Sequence, residues 1–491
     1  MLRGSSKFVG VVILGGILFG SLGLNLYNND FPLGYHADES KKVSFIKKGT
    51  YDFNHPLLML QAVRLANIFF DFSNKQAVVE LGRDIMAVFG VLIVLVSYHL
   101  VCQINRKYAL ITSLAVAVSP IMVIHAHYLK EDIIVTFFIL LSLLLFIKYI
   151  EKPSMSSVFY LGLVAGAALS SKYTSVLLFV LFLIMPIFIS RLRRLPYFVN
   201  MFFCAVIAAG VFLIVNYPMF LDFSEFIKGF NFEWRHVVTG HTLKFYPHHF
   251  FFGFHLLYSI VPGVTMIVAL FAGFGVIERL MAWKAVEWKG RILVVYMLLF
   301  YFVHEVSPTK PPPGFMRYML PIVPVLIYFS LTSVERVSRF VFNKRSSSAF
   351  IMFSLLMLSI PFYETLRLDY YLNKDTRGMV EELNKHESGK VLFGGHTGDW
   401  SGKVGFYNYE EIGAMQREGV TKIVVSSFEY DRYLLGGTLN RQDSKVYRIS
   451  RKYAELFQYP YGEIKPGYKS FAFSNPTIRI VDISGDVLEK Q

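Results

Sequence analysis

Two acidic residues and several cations lie close together in residues 34–43, which read "GYHADESKKV". An ionised carboxylate such as Asp38 or Glu39 can take a proton from a hydroxyl group, and nearby lysines stabilise negative charge on a leaving group. Residues 54–58, "NHPLL", add His55. This pattern predicts acid–base chemistry beside an anion, provided that the surrounding elements bring these side chains together.

The composition indicates an integral membrane protein. Of the 491 residues, 54% are hydrophobic and 17% are charged, and the mean hydropathy is +0.46. The formal net charge is +14, but the basic residues stand in short loops between apolar segments, where they orient a chain in the bilayer. Nucleic acid is therefore not predicted as a partner. Cys102 and Cys204 lie in apolar runs and do not suggest a disulfide framework.

Eleven segments are apolar and long enough to be candidate membrane-spanning helices. They are 8–26, 79–104, 108–125, 132–150, 156–171, 174–190, 196–217, 249–277, 292–306, 318–334 and 347–364. The sequence thus predicts an α-helical polytopic membrane domain over residues 1–364.

The basic residues fall in alternate loops. These loops lie at 3–7, 106–107, 148–152, 191–194, 279–291 and 336–345. With the N-terminus in the cytoplasm, every basic loop is cytoplasmic, as the positive-inside rule requires. The other loops, at 27–78, 126–131, around 172, 218–248, 305–317 and after 365, then share the outer face. All candidates for chemistry are predicted on that face.

Three further outer-face positions are candidates. Glu131 and Asp132 begin a predicted span, where a carboxylate is costly without a partner, although Asp132 is also a good helix cap. Lys172, in "SSKYT", binds an anion or simply extends to the interface. Arg317 follows a proline-rich stretch and is well placed to hold an anion.

Histidines gather in the loop at 218–248 and just after it. His236 and His241 are five residues apart, without nearby thiolates, which does not match a closed zinc site. The chain also lacks a Walker-type glycine loop, a G-x-S-x-G elbow and an H-E-x-x-H motif. A divalent metal stays possible, but nucleotide hydrolysis, serine chemistry and zinc proteolysis are not indicated.

Two other classes of function fit these residues less well than an enzyme does. A lipid or sugar transporter should carry ionisable residues at mid-membrane and internal repeats, whereas these charges are predicted at one surface. A scaffold protein gives no reason for carboxylates and cations to gather on one face. The residues favour transfer chemistry on a phosphate-bearing lipid, with the transporter as the alternative.

The ordered set of motifs resembles the membrane glycosyltransferases of the GT-C type. The resemblance is strongest to prokaryotic relatives of dolichyl-phosphate-mannose protein mannosyltransferases, glycosyltransferase family 39. The matching pieces are "HADES", "NHPLL", "KEDI", "SSKYT", "NYPMFLDF" with "TGH", "RYMLPIVP" and "DTRGMVEEL". They extend over nearly the whole chain.

The resemblance implies an inverting transfer of a sugar from a polyprenyl-phosphate donor to a hydroxyl of a protein, glycan or lipid. It implies that Asp38 is the catalytic base, that Glu39 supports it, and that Asp132, beside Glu131, is a second acidic site. The residues expected around the donor phosphate are Lys41, His55, Lys172 and Arg317. His236 and His241 are expected in a donor or acceptor loop. The implied location is the outer face of a prokaryotic plasma membrane.

One position departs from a related group. The aminoarabinose lipid A transferases have lysine before proline where this chain has His55, and that difference argues against the same substrate.

The tail, residues 365–491, is polar and alternates predicted helices with strands. This alternation predicts a small extracytoplasmic α/β domain. Because a dinucleotide fingerprint is missing, the domain is expected to be a substrate-side or stability module.

Overall fold

The computed structural model describes most of the membrane region and parts of the tail. The described residues are 2–36, 38–239, 253–306, 316–342, 347–385, 390–394, 397, 412–428, 462–468, 471 and 474–484. His241 lies outside them.

The structure is mostly helical, as predicted. The helices up to the middle of the chain are α1 Leu2–Leu26, α2 Glu39–Lys48, α3 Leu58–Phe70, α4 Lys75–Ile104, α5 Ala109–Ala117, α6 Pro120–Ala126, α7 Glu131–Glu151, α8 Met155–Ser171, α9 Leu177–Phe188, α10 Leu195–Val215 and α11 Phe223–Thr239. The later ones are α12 Val261–Val264, α13 Met266–Met281, α14 Trp288–Val306, α15 Val323–Phe342, α16 Ser347–Leu372, α17 Thr376–Lys385 and α18 Ile412–Arg417.

Each of the eleven apolar segments is mainly helical where it is described, although non-helical residues interrupt some of them, for example at 118–119 and at 265. Six helices are long and apolar enough to cross a membrane, and two bent pairs bring that number to eight among the described residues. One bend of 55° separates α5 from α6, where Pro120 occupies the first turn of α6. The number of spans, eleven, stays a prediction.

The basic loops meet at one end of the helical bundle. Lys107 pairs with Glu335, and Lys289 pairs with Glu151. The ammonium of Lys289 also donates to the carbonyl of Gln103 at 2.6 Å. These contacts bring the loops at 106–107, 148–152 and 279–291 together with Glu335 of α15, so these basic loops lie at the same end of the bundle.

The first loop after α1 forms two short helices. Gly49 follows the last residue of α2 and caps the helix. Its φ of +67° is the left-handed conformation that glycine adopts without strain. In residues 41–49, "KKVSFIKKG", apolar residues alternate with lysines, a pattern typical of a helix lying at the membrane interface. The helix is present, but Glu39, Lys42, Val43 and Ile46 form a buried face, so α2 packs onto the bundle through charged as well as apolar residues.

The tail contains the predicted strands. They are β1 Lys390–Phe393, β2 Val420–Ser426, β3 Gly462–Ile464 and β4 Ile478–Asp482, in the sheet order β1-β2-β4-β3. β1 and β2 run parallel, and the other pairs are antiparallel. α16 continues past residue 365 to Leu372, so a continuous helix leads from the membrane region into the tail.

Candidate active site

Asp38 directly precedes α2 but does not cap it. Its side chain makes no hydrogen bond to the backbone of the first helical turn, although capping is the ordinary role of aspartate at this position. The carboxylate, 43% exposed, lies instead 2.7 Å from the ammonium of Lys130 and 3.7 Å from the guanidinium of Arg317. A helix cap therefore does not explain this aspartate.

The charges around Asp38 determine its protonation. Burial alone would raise the pKa of the Asp38 carboxyl, but Lys130, His36 and Arg317 outweigh it and hold that pKa well below its usual range. Burial would likewise lower the pKa of Lys130, and the neighbouring carboxylates of Asp38 and Glu131 raise it instead. Asp38 is thus ionised and Lys130 charged at neutral pH.

Asp132 forms a second ion pair on the same side of the bundle. Its carboxylate accepts a hydrogen bond of 2.5 Å from Lys172 and lies 3.6 Å from Nε of Arg317. Lys172 is only 6% exposed, and its ammonium stands 4.6 Å from the centre of the Tyr318 ring. Its ammonium is therefore held inside the bundle, and the carboxylate of Asp132 binds Lys172 rather than the backbone at the start of α7. Arg317 lies between the two acidic sites.

Glu131 is buried beside both groups. It pairs with Lys42 of α2 and lies 3.4 Å from Lys130. We call these paired residues the charged cluster. Its members are Asp38, Lys42, Lys130, Glu131, Asp132, Lys172 and Arg317. Four cations face three carboxylates, which leaves one positive charge to attract an anion.

A pocket opens beside the charged cluster. Its lining is His55, Lys172, Tyr173, Thr174, Phe230, Glu233, Trp234 and Tyr318. Burial lowers the pKa of the His55 imidazole well below its usual range; Glu131 opposes this effect, and Lys42, Lys130 and Lys172 add to it. His55 is consequently a neutral hydrogen-bonding group at pH 7 and adds no charge.

Glu39 faces away from this site. It is completely buried, and Arg83 of α4 binds both of its carboxylate oxygens, at 3.0 and 2.6 Å. The backbone N–H of Leu129 donates to the same carboxylate at 3.0 Å. Glu39 therefore joins α2 to α4 and to the loop that carries Lys130. The predicted support of Asp38 by Glu39 stays a prediction, and in this geometry it would act through the position of α2.

Residues 54–219 match the family described as dolichyl-phosphate-mannose-protein mannosyltransferase. This part of the chain contains His55, Glu131, Asp132 and Lys172, and it ends before Arg317. No curated protein matches the chain.

Solved structures extend the likeness to almost the whole chain. ArnT from Cupriavidus metallidurans, bound to undecaprenyl phosphate, matches at TM-score 0.54 and 12% identity over 98% of this chain and 99% of its own. The oligosaccharyltransferase AglB from Archaeoglobus fulgidus, in complex with an inhibitory peptide and a dolichol-phosphate, matches at TM-score 0.55 and 13% identity. That match covers 93% of this chain and 73% of AglB.

The chain has the GT-C fold. The resemblance predicted from the ordered motifs is thereby confirmed. The chain is a multi-pass membrane protein, as predicted. The transporter alternative has no support from these relatives.

One other predicted site residue of this GT-C chain, Lys41, lies apart from the charged cluster. Lys41 is 59% exposed and pairs with Asp52 at 2.5 Å, on the outer side of α2. His236 lies in α11, and His241 is outside the described residues. Their predicted roles in donor or acceptor handling stay predictions.

A divalent metal does not fit the site as described. Within the described ranges, no group of three or more His, Cys, Asp or Glu side chains could hold a metal ion. Asp38, Glu131 and Asp132 are each paired with a lysine, and those cations repel a second cation at the same oxygens.

Three important side chains escaped sequence reasoning. Lys42 and Lys130 were two among many lysines, and only the fold shows that they face Glu131 and Asp38. Arg83 did carry a signal, because it stands inside a predicted span, where a charged residue needs a partner. Its carboxylate partner, Glu39, was present in the first loop.

Proposed function

We propose that this protein is an inverting glycosyltransferase that moves a sugar from a polyprenyl-phosphate donor to a hydroxyl acceptor. The observation that carries this proposal is the placement of Asp38. Its carboxylate does not cap α2, is partly exposed, and lies beside Lys130 and Arg317 in a cluster with excess positive charge. One element thus offers a base, and its neighbours offer cations for a phosphate.

The arrangement suits a single displacement. The acceptor oxygen attacks the anomeric carbon and forms the new C–O bond, while the bond from that carbon to the phosphate oxygen breaks. The acceptor proton passes to the Asp38 carboxylate, and the electron pair of the broken bond leaves with the polyprenyl phosphate. Attack from the side opposite the leaving group inverts the anomeric centre.

The cations of the cluster serve the leaving group. A phosphate diester gains negative charge as it becomes a monoester, and preorganised cations stabilise that growing charge. Arg317 lies within 4 Å of both Asp38 and Asp132, as distances of 3.7 and 3.6 Å show. It can therefore move towards the phosphate without leaving the site. ArnT and AglB, which share the fold, were solved with undecaprenyl phosphate and a dolichol-phosphate.

We place the charged cluster on the outer face of the membrane and the N-terminus in the cytoplasm. The basic loops gather at the other end of the bundle, through contacts such as those of Lys107 and Lys289, and basic loops favour the cytoplasm. A reporter that works only in the cytoplasm, fused after Gln491, is expected to be inactive. Activity of that fusion would contradict the predicted outer location of the tail.

Replacing Arg317 is expected to weaken donor binding. Arg317→Ala removes a charge-assisted contact worth about 1.5–3 kcal/mol, which corresponds to an increase of about 10- to 150-fold in Kd. Binding of undecaprenyl phosphate to the detergent-purified protein measures this change. Lys41→Ala is the comparison variant, because Lys41 is another predicted phosphate-binding cation but is exposed and pairs with Asp52 on the outer side of α2.

The donor-binding comparison distinguishes the charged cluster from the whole outer surface. Equal Kd values for Arg317→Ala and the unaltered protein would contradict a donor phosphate at the cluster. A loss in Lys41→Ala as large as that in Arg317→Ala would move the phosphate site to the outer side of α2.

A further inference from the structure

The segment Asp375–Arg377 connects the tail to the loop that carries Asp38. The guanidinium of Arg377 is completely buried, and it pairs with both oxygens of Asp375 at 2.8 and 2.6 Å. Arg377 also donates to the backbone carbonyl of Tyr35, and its guanidinium lies 4.3 Å from the centre of the Tyr35 ring. One arginine of the tail thus holds both the backbone and the ring of a residue three positions before Asp38.

The other side of this segment is fixed to the sheet of the tail. The backbone N–H of Asn475 donates to Asp375 at 2.5 Å, and the hydroxyl of Thr376 donates to the carbonyl of Pro476, also at 2.5 Å. Asn475 and Pro476 lead directly into β4. The hydrogen bonds of Asp375 and Thr376 with these two residues therefore couple a displacement of the sheet to Arg377.

Apolar packing supports the same junction. Tyr35 belongs to a buried cluster that joins the first loop, the turn before α7, the end of α16 and the tail. Its members are Phe31, Tyr35, Ile124, Tyr128, Leu368, Leu372, Phe428 and Tyr468. The tail therefore packs against the loop that carries Asp38.

A short path leads from Tyr35 to the carboxylate of Asp38. His36 is buried against Tyr128, with ring centres 4.5 Å apart. The backbone N–H of Asp38 donates to Nδ1 of His36 at 3.3 Å. Because Tyr35 and His36 are both fixed, the backbone of Asp38 has a defined position relative to Lys130 and Arg317.

We propose that Arg377 is a positioning residue through which the tail holds the Asp38 loop in register with Lys130 and Arg317. This role rests on the proposed function, and it gives the tail a part in turnover that is separate from donor binding. A displacement of about 1 Å at a reacting group can lower a rate by about 10²-fold, even when the altered residue is remote. The interaction of the tail with the loop therefore determines how well the base is placed.

The test compares Arg377→Lys with the unaltered full-length protein. Lysine keeps the positive charge beside Asp375, but it cannot bind two carboxylate oxygens and the Tyr35 carbonyl with the same planar geometry. We expect kcat to fall by about 10-fold or more, while the Kd for undecaprenyl phosphate changes by less than about 2-fold. A residue that only stabilises the fold would not separate these two quantities.

The pH profile provides a second readout. Lys130, Arg317 and His36 are the groups that hold the pKa of Asp38 down. If the loop shifts, the Asp38 carboxyl loses part of this stabilisation, its pKa rises, and the acid limb of kcat/KM moves to higher pH. Tyr35→Leu, which removes the ring beside Arg377 and keeps the backbone carbonyl, should shift the limb in the same direction.

Lys390→Ala is the control, since Lys390 forms an exposed ion pair with Glu418 elsewhere in the tail. Unchanged kcat and an unchanged acid limb in both folded variants would overturn the proposal. If Arg377→Lys does not fold, Tyr35→Leu decides alone by the same criteria. Near-normal turnover of Asp38→Asn would refute the assignment of Asp38 as the base. Reduced turnover of Asp38→Asn together with normal turnover of Arg377→Lys would refute only the positioning role of Arg377.

Discussion

The Asp38→Asn variant is expected to fold, to bind donor lipid, and to turn over at least about two orders of magnitude more slowly than the unaltered protein. The acceptor hydroxyl has a high pKa and needs a positioned base in the transition state. Asparagine preserves the shape of the side chain and its capacity as a helix cap, but it does not accept the proton. Single-turnover rates with bound donor measure the difference.

Asp71→Asn is the matched control for this substitution. Asp71 is an exposed aspartate of the same loop, at the end of α3, with a φ of +49° that asparagine tolerates well. Its turnover should be normal. Near-normal turnover of Asp38→Asn would remove Asp38 as the base and move the search to Asp132, since Glu39 is buried against Arg83.

Loss of Arg83 is expected to destabilise the fold strongly. Arg83→Met leaves the carboxylate of Glu39 buried without its cation, which typically costs about 3–5 kcal/mol in the free energy of unfolding. It also leaves the carbonyl of Asn29 without the donor that binds it, while the carbonyl of Phe31 keeps a hydrogen bond from Gln76. The unfolding midpoint in detergent should fall well below that of the unaltered protein.

A second substitution separates the cost of the unpaired carboxylate from the cost of the lost hydrogen bond. In the double variant Arg83→Met, Glu39→Leu, the orphaned carboxylate is gone, so part of the stability should return. Recovery should stay incomplete, because the carbonyl of Asn29 still lacks its donor. Lys228→Ala, which breaks an exposed pair with Glu225, should change stability by less than about 1 kcal/mol. An unchanged midpoint for Arg83→Met would contradict the anchoring role.

The apolar segments and the outer-face candidates were predictable for one physical reason. Some 20 apolar residues are needed to cross a bilayer, and a charged residue at the mouth of such a segment stands out. Asp132, Lys172 and Arg317 were found in this way, and the structure brings them together with Asp38.

The pairing of these charges was not predictable from spacing. Lys42 and Glu131 are 89 positions apart, and Lys130 and Asp38 are 92 apart, so only the packing of α2 against the start of α7 selects these partners. Glu39 and Asp38 are neighbours in sequence, yet they point to different partners. Which of two adjacent carboxylates faces the site depends on where α2 begins and which side of it is buried.

The central claim, sugar transfer from a polyprenyl-phosphate donor, is tested most directly by the fate of the donor sugar. Detergent-purified protein is incubated with a radiolabelled polyprenyl-phosphate sugar and a membrane extract as the source of acceptors, with Asp38→Asn in parallel. We predict that the label leaves the lipid, appears on an acceptor with inverted anomeric configuration, and stays on the lipid with Asp38→Asn. Label that remains on the lipid with the unaltered protein, across donors of different sugars, would contradict the assignment.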